Sequence, residues 1–207
     1  MSQDIVILGA GGHAKVLIDI ARAAGVDLLA CFAKADVDLG GVPIKVGDDE
    51  GLILAYADHA TFIVGVGEMG VRRRLAALVD VDATAAEPLI HPSAVVSPAA
   101  HLDPGVCVMP GAVINAGAKI GRHAVINTGA IIEHDCQLDV GVFVGPGAVL
   151  AGDVFVGGWA MIGSRAVARP GAFIGPDSVV GAGSVVVADV APGHRVAGVP
   201  ARSLRAA

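Results

Sequence analysis

From Ile90 to Ala191 the chain repeats every six residues with neither insertion nor deletion, seventeen hexads in succession. A period of that kind narrows the possible folds more than any other feature here. Counted from its aliphatic residue, position one is Ile, Val or Leu in every hexad except the one that begins at Ala168. Position five is Ala in ten hexads and Val, Ser or Cys in the other seven. One large and one small side chain therefore alternate into a shared interior. Pro occupies position three in seven hexads and Gly position four in eight, a turn chemistry that makes each hexad a short strand and a corner. Three corners close a triangular coil of eighteen residues, so the repeat predicts between five and six coils of a parallel β-helix, each burying its apolar edge on the next.

Residues 1–84 obey different periods. Strand-like runs at Ile5–Leu8, Leu28–Phe32 and Phe62–Val66 alternate with helical patterns such as Val16–Ala24, which fits a small Rossmann-like α/β domain with a parallel sheet. Asp80–Pro88 reads as a linker, giving an α/β domain over 1–84 and a β-helix domain over 85–207.

Composition excludes several functions. Of 207 residues, 54% are apolar but 3% aromatic, and 29 are Gly, so the core must be built from small branched side chains. Charges, Gly and Pro interrupt every apolar run before the roughly 18 residues of a spanning helix, and no leader pattern precedes Ile5. A soluble, cytoplasmic protein with no membrane partner is expected. Cys31, Cys107 and Cys136 form no close pair, which suggests core thiols. A net charge of −6, with Arg72, Arg73 and Arg74 read as a solvated helix face, points to a small polar substrate and away from nucleic acid.

Two motifs carry chemistry. Gly9-Ala10-Gly11-Gly12-His13-Ala14 follows the first strand and opens a helix, where bare backbone N–H groups and a helix N-terminus can hold phosphate. Gly65-Val66-Gly67 makes a second close-approach turn. The other motif is Ile132-Glu133-His134-Asp135-Cys136. The hexad register turns Ile132 and Cys136 inward and leaves Glu133, His134 and Asp135 at an outward corner, so the charged trio never enters the core. Two carboxylates beside an imidazole can hold its tautomer and support its protonated state. One coil further along, the same corner is Gly152, where a ligand could lie against backbone. The closest solenoid histidines, His123 and His134, are eleven residues apart on different corners, so no metal is expected.

The Gly-Gly-His loop, the Glu-His-Asp motif, the hexads and the terminal Gly198-Val199-Pro200-Ala201-Arg202 together resemble the bacterial nucleotide-sugar acetyltransferases of the sialic acid O-acetyltransferase-like, hexapeptide-repeat family. The resemblance implies a left-handed β-helix assembled as a homotrimer, with acetyl-CoA as co-substrate in grooves between subunits. It places His134 as the catalytic base, Asp135 as its orienter with Glu133 as the fallback, and cofactor contacts at Phe143, Gly152 and Ser164. Gly11, Gly12, His13, Ala33, Lys34 and Gly67 match the substrate-binding positions. Ala33-Lys34 stands where the family commonly has two aspartates, and Phe143 where it has a histidine. The expected reaction is N-acetylation of a nucleotide-linked amino sugar, a UDP-4-amino sugar first, in bacterial surface glycan biosynthesis. O-acetylation of a sugar hydroxyl such as that of sialic acid is the alternative enzyme, and a non-catalytic nucleotide-sugar-binding scaffold the alternative of another class.

Overall fold

Four short apolar runs in the N-terminal region pair side by side, all parallel. In the computed structural model, which describes residues 4–35 and 37–204, these are β1 (Asp4–Leu8), β2 (Leu28–Ala33), β3 (Ile44–Val46) and β4 (Ala60–Val64), in the order β3-β2-β1-β4. β1 and β4 are buried through most of their length, as expected of strands covered on both faces. Helix α1 (Gly12–Ala24) connects β1 to β2, α2 (Asp49–Tyr56) connects β3 to β4, and α3 (Met69–Asp82) follows β4. The chain leaves β1 towards β2 on one side and returns to its other side with β4, so the C-terminal ends of β1 and β4 form the switch point at which open α/β sheets bind ligands.

Two readings of this unit need correction. Arg72 is 1% exposed, not solvated, with Nη1 3.5 Å from the Met69 Sδ. Arg74 pairs with Asp49 across α2 and α3. Nor is Asp80–Pro88 a plain linker: α3 runs on to Asp82, and the Phe62 backbone takes Thr84 and Ala86 as hydrogen-bond partners, burying Ala85 and Ala86. The chain divides into two compact units, Met1–Pro92 and Ser93–Ala207.

In the second unit every hexad contributes a two-residue strand, and strands pair in parallel with those eighteen residues away, as in Ile131↔Val149 and Ile132↔Leu150. Three parallel ladders run along the solenoid. From Val106 to Val186 all position-one and position-five side chains are buried. The earlier ones, Val96 and Leu102 among them, are half-buried because no coil of this unit lies beneath them. Inward Ser178 and Ser184 are satisfied, one donating to the Gly175 carbonyl and the other accepting from the Gly198 N–H.

The repeat was expected to continue unbroken to Ala191. It keeps its eighteen-residue register as far as Val185–Val186, then slips by two: Ile174 faces Val190 and Val179 faces Arg195. Asp189 accounts for the tighter corner, since its Oδ1 accepts from the Phe173 N–H at 3.0 Å and Arg169 Nη2 at 3.3 Å. Beyond it, Arg202–Ser203 folds back antiparallel on Arg195–Ala197 and covers the last sheet edge.

Candidate active site

The corner that follows Ile131–Ile132 gathers the charged trio. His134 and Asp135 are exposed, and the imidazole Nδ1 lies 2.9 Å from Asp135 Oδ2. Opposite a carboxylate, Nδ1 carries the proton and Nε2 keeps its lone pair. That hydrogen bond raises the His134 pKa above its ordinary value, against an opposing desolvation, and the negative charges of Asp135, Glu133 and Asp153 add to the rise. Asp135 itself is held by the coil below. Its backbone is left-handed (φ 61°), which Asp tolerates, and its Oδ1 occupies the space a Cβ would fill at Gly117.

The coil above completes the arrangement. A Cβ placed on Gly152 would stand 2.5 Å from both Cε1 and Nε2 of His134, so the ring leans over bare backbone. Gly152 is itself partly exposed, and its N–H donates to no carbonyl among the described residues. Glu133 is claimed from below by Asn115, whose Nδ2 donates to it at 2.9 Å. That leaves Asp135 as the carboxylate on the imidazole. Cys136 is buried, its thiol 3.1 Å from the Ala151 carbonyl, and burial first of all pushes its pKa up. Such a thiol is a poor nucleophile.

Phe143 and Ser164 lie elsewhere. Phe143 is half-buried in a different ladder, opposite Met161, and Ser164 is exposed at the corner that follows that ladder. Within one chain they do not share the His134 corner. Asp153, next to Gly152, does, and so do Asn115 and Gly117, which the sequence does not single out although eighteen-residue stacking puts each one coil from a residue of the motif.

The N-terminal unit holds a second candidate site. Gly11 is the N-cap of α1 and supplies no side-chain cap, and Gly11 and Gly12 are exposed with open space where a Cβ would point. Gly9 has φ 121° and its missing Cβ would lie 2.8 Å from Val66 Cγ2, so glycine is required for the β1 and β4 turns to meet. Gly67 is likewise open and exposed. His13 is half-buried behind the loop, its Nε2 buried without a hydrogen bond; burial, then the charge of Arg72, lowers its pKa to about 4. At neutral pH it offers a hydrogen-bonding nitrogen and no charge. Beside this loop, at the switch point, lies a cavity of about 310 Å³ bordered by Gly9, Ala33, Lys34, Asp49, Val66 and Arg74. Ala33 and Lys34, substrate positions by the resemblance, line it together with Asp49 and Arg74, which the sequence does not single out because α2 and α3 bring them in from distant sequence.

Among the described residues no group of three or more His, Cys, Asp or Glu side chains is placed to hold a metal ion, and no helix is long and apolar enough to cross a membrane.

Known proteins match both halves of this description. The sequence model of the PglD N-terminal domain family matches residues 4–79. PerB from Caulobacter crescentus, solved with CoA and GDP-perosamine, is 42% identical with a TM-score of 0.90 over 97% of each chain. The chain belongs to the hexapeptide-repeat nucleotide-sugar acetyltransferases of the PglD type. Two further solved structures extend the comparison. A histidine-to-alanine variant of GDP-perosamine N-acetyltransferase from Caulobacter crescentus, with CoA and GDP-perosamine, is 41% identical with a TM-score of 0.91, covering 97% of this chain and 96% of that one. The acetyltransferase domain of PglB from Neisseria gonorrhoeae, in complex with acetyl coenzyme A, is 33% identical with a TM-score of 0.92, covering 99% and 100%. A search of the curated proteins returns no match.

Proposed function

We propose that this protein transfers an acetyl group from acetyl-CoA to the amine of a nucleotide-linked amino sugar. The observation that carries the reading is the Asp135–His134–Gly152 arrangement: an imidazole with Nδ1 bonded to a carboxylate and Nε2 free over a bare corner. The attacking amine must lose a proton as it adds to the thioester carbonyl, and Nε2 is the acceptor for it; the C–S bond then breaks and the imidazolium returns the proton to the departing CoA thiolate. Asp135 orients the ring and stabilises the imidazolium that forms. The unbonded N–H of Gly152 is a donor available to the cofactor or to the developing oxyanion. Phe143 and Ser164, on their own ladder and corner, are the further cofactor positions, which accords with a site completed by a second subunit. An apolar exposed surface, with Phe155 and Phe173 stacked at 5.2 Å and Phe173 40% exposed, supports the homotrimer.

The N-terminal unit takes the nucleotide in this reading. Gly11, Gly12 and Gly67 leave backbone open to the phosphates, with His13 behind them, and the cavity at Ala33-Lys34 receives the nucleoside. UDP was the first expectation from resemblance, whereas the relatives solved with a nucleotide sugar carry GDP-perosamine.

The test is a panel of GDP-, UDP- and dTDP-linked 4-amino and 3-amino sugars, with hydroxyl-bearing controls, incubated with acetyl-CoA while free thiol and acetylated product are measured. Turnover on at least one amine, abolished in His134→Ala, is expected. Acetylation confined to the hydroxyl controls would replace N- by O-transfer; nucleotide binding with no thiol release from any acceptor would leave a scaffold.

A further inference from the structure

We infer that the cavity at the switch point reads guanine, through the Asp49 carboxylate and the Arg74 guanidinium; this rests on the reading above of the N-terminal unit as the nucleotide-holding part. Asp49 opens α2 and Arg74 lies on α3, and Arg74 Nη2 donates to Asp49 Oδ2, so the pair stands together on one wall. Asp49 is mostly buried, its side chain 18% exposed, yet its Oδ1 takes no hydrogen bond from the described residues. The Arg74 Nε and Nη1 groups donate to none of them either. A carboxylate oxygen and a set of cationic N–H groups thus border the cavity side by side, with capacity left over.

The bases differ in what they offer such a wall. Guanine presents two neighbouring donors, N1–H and the N2 amino group, next to the O6 acceptor. A carboxylate can accept from both donors while an adjacent arginine donates to O6. Uracil and thymine present a single N–H flanked by two carbonyls, and a carbonyl facing Asp49 would meet like partial charge. Adenine offers an amino donor beside a bare ring nitrogen, which a carboxylate cannot satisfy. The rest of the cavity suits a flat ring. Val37 and Val71, 40% and 38% exposed, border it, and the Phe32 ring is fixed behind it by edge-on contacts with Tyr56 and Phe62.

The experiment is calorimetric titration of the full chain with GDP, IDP, UDP, dTDP and ADP, repeated on Asp49→Asn. IDP lacks the N2 amino group and changes nothing else. The wild-type protein should bind GDP about tenfold or more tighter than IDP, UDP, dTDP and ADP. Asp49→Asn should weaken GDP by about 10- to 100-fold and erase the preference over IDP, leaving UDP within a fewfold of its starting value. Asparagine keeps the size and one acceptor towards Arg74, and the GDP-to-IDP comparison needs no variant. Equal affinity for GDP and IDP in the wild type, tighter binding of UDP, or equal weakening of GDP and UDP by the variant would each overturn the assignment. Acetyl transfer without guanine preference would overturn it and leave the acetyltransferase reading standing. Guanine preference without acetyl transfer to any acceptor would do the reverse.

Discussion

Replacing Gly152 with alanine tests the reaction geometry without touching an ionisable group. The Gly152 backbone is not left-handed, so alanine suits it, but the new methyl would stand 2.5 Å from Cε1 and Nε2 of His134, against an ordinary contact of 3.4 Å or more. An exposed imidazole can yield where a β-helix backbone cannot, so the ring should withdraw by about 1 Å. A misplacement of that size costs about 10²-fold in rate when it separates a base from its proton. Thiol release at saturating acetyl-CoA and acceptor isolates kcat from any weakening of cofactor binding at the same corner. Thermal melting should be nearly unchanged. A double-mutant cycle sharpens the test: in the His134→Ala background the methyl has no ring to displace, so Gly152→Ala should cost little more there. Turnover of Gly152→Ala within about threefold of wild type would refute the argument that Nε2 works from over this glycine. A full additional loss in the His134→Ala background would assign the effect to the cofactor instead.

His134→Ala should lower turnover by about 10²- to 10⁴-fold with the fold intact, measured by thiol release and circular dichroism. Because the Asp135 hydrogen bond holds the His134 pKa above its ordinary value and the base works unprotonated, kcat/KM should fall as pH drops through that raised pKa; Asp135→Asn should move the acid limb to lower pH. Cys136→Ala should retain most activity and trap no acyl-enzyme in mass spectra, its thiol being buried in the solenoid. His13 is neutral when folded, with its pKa depressed from 6.5 to about 4, so stability it confers is present above pH 6.5 and is lost as pH falls towards 4. The loss is of order 3 kcal/mol, and chemical denaturation between pH 7 and 4 should show a smaller decline in His13→Gln.

The solenoid was legible because its period is strict: inward positions one and five, the outward corner at Glu133, His134 and Asp135, and the stacking of Gly152 on His134 all follow from counting sixes. The slip after Val186 was not legible, since the hexad containing Asp189 looks ordinary and its shortening depends on hydrogen bonds to Phe173 and Arg169. In the α/β unit, β1 and α1 were visible from their periods, but β3 is three residues long and α2 has no strongly apolar face. Arg72 shows the limit of composition. Three consecutive arginines look solvated, yet successive residues on a helix point about 100° apart, and one of them turns into the interior.

An active corner built from two successive coils of fixed length imposes a rule on what the gene can tolerate. Adding or deleting six residues between His134 and Gly152 would rotate every later corner by a third of a turn and bring another residue over the imidazole. Eighteen residues would restore the rotation but separate the pair by a whole layer, about 4.8 Å. Eighteen residues inserted beyond Pro170 would instead lengthen the solenoid and leave the chemistry where it is. Length variants should therefore be viable in multiples of eighteen towards the C-terminal end, and that end is where a designer could extend the molecule without redesigning its reaction.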